Sequence, residues 1–569
     1  MNRRGFLAAT AGVAVAGAAA AEGCSSSGIS NLIGGGGNGG GAQGAYTLTV
    51  AHTNSTINGY RLLTRTYNGS TVGPTLDAYP GTTLKIRIVN SLPPNPPATV
   101  PSGAVRVADA HDMGDLMRRR PLSYRTSATP LDPMNNPHLF NTTNLHVHGI
   151  QTVPHLFEPV GTTNPAAMMI AIDPGQTYDY AFPIPADQPP GLYWYHPHHH
   201  GSTDVQVAGG MAGLIVVHGA IDQVPEIAAA RDIRVVVQSL NLNQSTADPT
   251  LYEYEPIAYV PPPLGYNLGT DYSLYTVNGQ GVSWANNVTN TYTPLPLPQL
   301  QMAPGEVVRL RFLNGTNAMW LPLVLPGFEI HMIAFDGVNF QAPFSIAQNG
   351  TTLVTPANMG ANTMVFVSPG NRMEMLIKAP AATGTYTLSA LATNGVNFMP
   401  FPQIDLMNVV VSGAPVTMGI PTTLPTPTRE YPLITDGEIV NRRTITFSEG
   451  PADQLLTGFG FFIDNRLYEE MQVNYSAQIG TCEEWTIVNT GAEAHPFHLH
   501  ENSFEVTHVN GNPVPIAIWD TFAIPPSSGG GNGSFTLRVR FKGAPGKTVF
   551  HCHILPHEDT GMMQNLMMI

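Results

Sequence analysis

The chain has 569 residues, of which 11% are charged, with 57 Gly, 51 Pro and a formal net charge of -14. That length suits about three or four domains, and an acidic balance with no basic stripe excludes a nucleic-acid partner. Abundant Gly and Pro with few charges is the composition of a turn-rich, largely β protein.

Residues 1–44 read first as "MNRRGFLAATAGVAVAGAAAAEGC" and then as "SSSGISNLIGGGGNGGGAQG". A basic start, a short Ala/Gly-rich apolar run and a small-residue region after it predict an export signal rather than a membrane span. Arg3 and Arg4 before Gly5, Phe6 and Leu7 resemble a twin-arginine signal, which exports folded proteins, with an ordinary secretion signal as the alternative. The expected location is the periplasm or cell envelope. Cys24 stands where a lipoprotein would carry its lipidated cysteine, although Glu22 fits that pattern poorly, and the Gly/Ser-rich stretch behind it is a flexible tether. If Cys24 is lipidated or removed and Cys552 has another task, Cys482 is left with no disulfide partner and is expected to be a buried, inert thiol.

Beyond residue 44, short alternating runs broken by Gly, Pro and Asn predict strands, and one phrase occurs three times. "GTTLKIRIVNS" from Gly81, "GEVVRLRFLNG" from Gly305 and "GTCEEWTIVNT" from Gly480 each place Asn nine residues after Gly, with an alternating run between. A second phrase follows each: "YWYHPHHHG", "GTYTLSAL" and "KTVFHCHI". Three related β-sandwiches in series are expected, over residues 45–220, 225–415 and 430–569. The middle copy has no histidine at its second phrase, so function is expected in the first and third, with the second a spacer. Residues 94–140 form a Pro-rich insertion in the first domain, an ordered excursion or a lid, in which Arg118, Arg119 and Arg120 read as a solvated patch.

Ten of the 19 histidines fall into four motifs: His146 and His148 in "HVHG", His196 and His198 in "HPH", His495, His498 and His500 in "HPFHLH", and His551, His553 and His557 in "HCHILPHEDTGM". Residues i and i+2 of a strand share a face, so each His-x-His pair presents two imidazoles in one direction, and eight of them can converge on one polynuclear metal site. Cys552 lies between His551 and His553 and therefore points the other way. A thiolate with two histidines and a thioether is a blue-copper set, and His495, His557 and Met562 complete it. A structural zinc site would need a closed set of four ligands, commonly with Cys-x-x-Cys spacing, and would have no use for eight further paired imidazoles.

These four motifs resemble those of the three-domain multicopper oxidases, the family of laccases, bilirubin oxidases and bacterial copper-efflux and spore-coat oxidases. The likeness spans roughly residues 45 to 569, and the "HEDTGMM" ending is closest to bacterial members. The resemblance implies an all-β fold of three consecutive cupredoxin-like Greek-key β-sandwich domains and four copper ions. Carried over by position, His495, Cys552, His557 and Met562 would hold a type 1 copper. His146 and His498 would hold the type 2 copper, and His148, His196, His198, His500, His551 and His553 the type 3 pair. His199 and His200 match no ligand position, which leaves them supporting or surface roles.

The implied reaction is one-electron oxidation of a reductant at the type 1 copper, transfer through Cys552, and four-electron reduction of dioxygen to water. The axial thioether of Met562 should keep the potential below that of relatives with Leu or Phe there. Glu558 matches an acid that bacterial relatives use for proton delivery, against the alternative of a surface carboxylate. Relatives also carry an Asp roughly nine residues beyond the first histidine pair, where this chain has Phe157 followed by Glu158. Glu493 could attract a cationic reductant, with an exposed loop glutamate the default, and Asp520 is expected to have a structural hydrogen-bonding role.

The resemblance implies small phenols or aromatic amines as reductants and dioxygen as acceptor, in a protein expected to be a monomer. A second reading is a metallo-oxidase of Cu(I), Fe(II) or Mn(II), and a third is a non-catalytic envelope protein of the same fold.

Overall fold

The structure is a computed structural model that describes residues 45–569 apart from 96–103, 108–122, 127–131, 133, 246, 255–269, 347–352, 355–363, 394–400 and 456–457. The export signal, Cys24, the tether and Arg118 to Arg120 lie outside the described residues. No helix among the described residues is long and apolar enough to cross a membrane.

The thrice-repeated phrase forms the strands Thr83–Asn90, Val307–Asn314 and Cys482–Asn489, and each takes the same place in its surroundings. An earlier strand runs parallel to it: Ala45–Ile57, Arg231–Gln244 and Ile439–Pro451 respectively. A later strand closes it on the other side, antiparallel: Thr177–Pro183, Arg372–Lys378 and Gly533–Arg540. The fold is thus three cupredoxin-like Greek-key sandwiches in series.

The terminal Asn of each phrase explains why the phrase recurs. All three are buried. Asn90 Nδ2 donates to the Asn141 and Ile172 carbonyls, Asn314 Nδ2 to those of Met319 and Val367, and Asn489 Nδ2 to those of Glu493 and Pro525. In each, Oδ1 accepts the backbone N–H two residues on, from Leu92, Thr316 and Gly491. One side chain thereby satisfies three main-chain groups at the point where a strand leaves its sheet, groups that would be costly to bury unpaired.

The repeats do not stand apart. Leu251–Glu253 pairs in parallel with Tyr60–Tyr67, joining strands of the first and second repeats in a 13-stranded sheet. The middle and third repeats share one apolar core that runs from Ile233 to Leu566 and includes Cys552 and Met562, while Phe335 stacks on Trp519 at 4.2 Å between ring centroids. Within the insertion at 94–140, Ala104–Val107 and Ser123–Thr126 form a two-stranded antiparallel ribbon.

Asn314→Ala should strand two buried carbonyls and lower the midpoint of thermal unfolding by about 2–5 °C, as a loss of ~2 kcal/mol implies for a cooperative unit of one to three repeats. Calorimetry against the parent protein checks this.

Candidate metal centre

The strand Gly546–Cys552 is buried along its whole length and lies antiparallel to His495–Leu499, with Phe497 opposite Cys552 and His498 opposite His551. Alternation then sends His551 to one side of the pair and Cys552 to the other. On the Cys552 side, its Sγ lies 3.6 Å from His495 Nδ1 and 3.8 Å from His557 Nδ1, and those two nitrogens are 3.3 Å apart. The short helix Leu555–Asp559 turns the chain back to deliver His557. Met562 follows at its exit, buried, its N–H donating to the His557 carbonyl and its own carbonyl accepting from Cys552 N–H.

Burial lowers the His495 pKa to about 3 and holds that of His557 well below the usual imidazole range, while it pushes the Cys552 thiol up. Two neutral imidazoles and a sulfur that becomes a thiolate only beside a cation form a donor set that fits a soft metal ion. Phe461 stacks on His557 at 3.6 Å and closes one side of the set.

On the other side, eight imidazoles converge, every one buried. His146–His148 pairs with Gly191–His196 so that His146 faces His196. The rings of His146 and His500 stack at 3.9 Å, and those of His148 and His498 at 3.8 Å. His198 Nε2 and His500 Nε2 each lie 3.1 Å from His551 Nε2. Compact donor groups are His198, His500 and His551; His146, His498 and His500; His146, His148 and His196; and His148, His498 and Asp520. His553 enters through its ring, centred 5.0 Å from that of His148 and 5.4 Å from that of His196.

The outward nitrogens are tied down. His196 Nδ1 bonds the Pro197 carbonyl at 2.9 Å, His551 Nδ1 the Cys552 carbonyl at 2.9 Å, and His498 Nδ1 the Asp520 carbonyl at 2.8 Å. His148 is turned the other way, with Nε2 3.1 Å from Asp520 Oδ1. The complementary nitrogens, His196 Nε2, His498 Nε2 and His148 Nδ1, are buried with no protein partner, as are both nitrogens of His553. Burial, helped by mutual repulsion, depresses the pKa of His146, His148, His198, His498, His500 and His553 well below the usual range. Buried neutral imidazoles with free lone pairs facing each other fit metal ions and little else.

The middle repeat supplies the counter-charge. Arg372 is fully buried and grips Asp520 through both of its terminal nitrogens, Nη1 to Oδ1 at 2.9 Å and Nη2 to Oδ2 at 2.5 Å. Asp336 accepts from Arg372 N–H and Asn371 Nδ2, and from the Asp520 and Thr521 amides. Burial, reinforced by Asp520, raises the Asp336 carboxyl to about 7. The expectation of a spacer therefore needs correction: the middle repeat contributes no histidine but braces the acid that orients His148. Gly149, at φ 86, lies so close beneath Arg372 and Asp520 that a Cβ there would overlap both.

Other expectations are settled by burial. Glu558 is a buried carboxylate, with Oε2 3.1 Å from His551 Nδ1 and Oε1 3.4 Å from His198 Nδ1, which removes the surface reading. Glu493 is buried too, not an exposed loop residue. Its Oε2 lies 3.7 Å from His557 Nε2, and burial followed by repulsion from Glu449 raises its carboxyl to about 8. Asp520 has the structural role expected of it, and Cys482 is buried with its thiol pushed up by desolvation. His199 and His200 are buried, so a surface role fails: His200 Nε2 meets Asn135 Oδ1 at 3.1 Å, and His199 packs edge-on to His138. Phe157 is buried in an apolar cluster and Glu158 is exposed. From that loop it is His155 that reaches the histidines, 3.2 Å from His146 Nδ1.

Three sequence models of the multicopper oxidase family match residues 132–221, 265–349 and 441–568, together more than half of the chain. The chain belongs to the multicopper oxidase family. A multicopper oxidase of Staphylococcus haemolyticus is 24% identical over 505 residues, covering 87% of this chain and 82% of the relative. The Bacillus subtilis laccase is 24% identical over 406 residues, 67% and 71% of the two chains, and the Escherichia coli cell division protein FtsP is 24% identical over 343 residues, 58% and 61%. Among solved structures, a Campylobacter jejuni multicopper oxidase described as a metallo-oxidase superposes with a TM-score of 0.63 at 21% identity, over 94% of this chain and 93% of that one. Copper is thus the metal these donor sets would take in a multicopper oxidase, with His495, Cys552, His557 and Met562 as one set and the eight paired histidines as the other.

Arg372→Met should leave the Asp336 and Asp520 carboxyls buried without a cation and destabilise the protein by about 3–5 kcal/mol, with Arg372→Lys in between because it loses the two-pronged contact. Denaturant unfolding of the two variants measures it.

Proposed function

We propose that this multicopper oxidase is laccase-like. It would take electrons singly from phenolic or aromatic amine reductants at a type 1 copper and reduce dioxygen by four electrons to water at a cluster of three coppers. The observation that carries this reading is the continuity between the two donor sets. Cys552 belongs to one set, its chain neighbours His551 and His553 to the other, and its carbonyl accepts the Nδ1 proton of His551 at 2.9 Å. Bound copper would supply the one-electron couples and the dioxygen chemistry that no side chain offers.

The chain's own residues do the rest. His495 and His557 arrive neutral, and the apolar core around Cys552 excludes water from the thiolate. Asp520 and the Cys552 and Pro197 carbonyls fix ring orientations by hydrogen bonds, which keeps geometry constant through a turnover. Glu558, between His198 Nδ1 and His551 Nδ1, is within reach to hold a proton at its carboxylate and release it toward the cluster as dioxygen is reduced.

A second reading, oxidation of Cu(I), Fe(II) or Mn(II), draws support from Glu493. Its carboxyl stands at the edge of His557 with Glu449 against the same turn, and a cationic reductant arriving there would draw the raised carboxyl into its charged form, which a neutral phenol would not. A non-catalytic envelope role, for which FtsP is the relative to weigh, is opposed by the presence of all twelve donors.

Copper-loaded protein should show an intense blue band near about 600 nm from thiolate-to-copper charge transfer, together with oxygen uptake driven mainly by a phenol. Uptake driven mainly by cuprous or ferrous ion and lost selectively in Glu493→Gln would transfer the role to metal oxidation. A colourless protein that consumes no oxygen would defeat both.

A further inference from the structure

His155 and Glu501 are buried beside the histidine cluster and belong to none of the paired motifs. The backbone settles which His155 nitrogen carries the proton. Val147 N–H points at His155 Nε2 at 3.3 Å, and an amide N–H only donates, so Nε2 carries the lone pair and Nδ1 the proton. Acceptors wait on the Nδ1 side: the Val153 carbonyl at 3.2 Å and Glu501 Oε1 at 3.4 Å. His146 Nδ1 lies 3.2 Å from that same accepting Nε2, so His146 donates from Nδ1 and keeps its lone pair on Nε2. This Nε2 is buried with no protein partner, and His146, His498 and His500 each bring a donor atom within 4.8 Å of the others.

Glu501 holds its end of the chain against local preference. It is a non-glycine residue at φ 57, in the left-handed region that L side chains avoid. Its Oε2 accepts from the Thr548 hydroxyl, while Oε1 is buried and has the His155 ring as its neighbour. A buried carboxyl group on a disfavoured backbone marks a position that the surroundings have been built to keep.

We propose that Glu501 and His155 act as a brace that fixes the tautomer and ring angle of His146, so that Nε2 is the atom His146 offers to the type 2 copper. Both are positioning residues, acting through His146. The proposal rests on the assignment of His146 and His498 to the type 2 copper.

The test uses the full-length, copper-loaded protein and its variants His155→Phe, His155→Gln and Glu501→Gln. Copper per chain, the type 2 hyperfine splitting in EPR and the rate of type 2 copper loss to a chelator are measured, with the type 1 absorption as the internal check on folding. His155→Phe should lose type 2 copper about 10–100-fold faster and shift its hyperfine splitting while the blue band stays. His155→Gln, whose amide oxygen can accept from His146 Nδ1, should restore most of the retention, and Glu501→Gln should fall between. Parent-like splitting and retention in His155→Phe would overturn the brace, as would identical losses in His155→Phe and His155→Gln, which mere space-filling would give. Should His155→Phe yield no blue protein, Glu501→Gln decides: parent-like behaviour there overturns the proposal. A parent protein with no type 2 signal would instead overturn the copper assignment beneath it, a failure visible before any variant is made.

Discussion

Everything at the metal centre depends on one strand keeping its register. Gly546–Cys552 has no solvent face, and its period of two must serve two donor sets, sulfur on one side and imidazole on the other. Its partner obeys the same rule with a different spacing: His495 is an odd number of residues from His498, so it faces Cys552 while His498 and His500 face the cluster. A slip of one residue would hand the sulfur to the cluster and a histidine to the mononuclear site. The apolar core shared by the middle and third repeats opposes such a slip, because it would also turn Phe550 and Phe497 out of their packing.

The second constraint is charge. Eight buried imidazoles and several buried acids sit together, and one guanidinium, Arg372, answers two of those acids. It comes from the repeat that contributes no histidine to the centre. Breaking a buried pair leaves an uncompensated charge, which is far more costly than never having made the pair. The middle repeat therefore matters to the centre through electrostatics rather than coordination.

Much of this was legible in the chain. Histidines two apart on strands share a face whatever the fold, so "HVHG", "HPH", "HPFHLH" and "HCH" announced convergence, and the alternation around Cys552 announced a second, opposed set. The repeated phrase ending in Asn marked three copies of one topology. What the chain did not disclose was burial at single polar residues. Glu493 and Glu501 look like loop glutamates because nothing local says that segments distant in the chain will cover them. His155 carried a weak signal, a lone histidine close behind a histidine pair, but its neighbours Phe157 and Glu158 drew attention because they occupy the place of an expected acid. Arg372 and Asp336 had no signal at all: their partners lie far along the chain, and only the packing of repeats brings them together.

The glycine that closes "HVHG" shows how long-range contact enters a short motif. A side chain at Gly149 would overlap the Arg372 guanidinium and the Asp520 carboxylate. The letter therefore reports on a cation more than two hundred positions downstream, not on the metal ligands beside it. A chain that kept both histidines but substituted this glycine would preserve every donor atom and still lose the room in which the counter-charge sits. Such substitutions should be tolerated only where the arginine has also shrunk, so the two positions are expected to change together rather than singly.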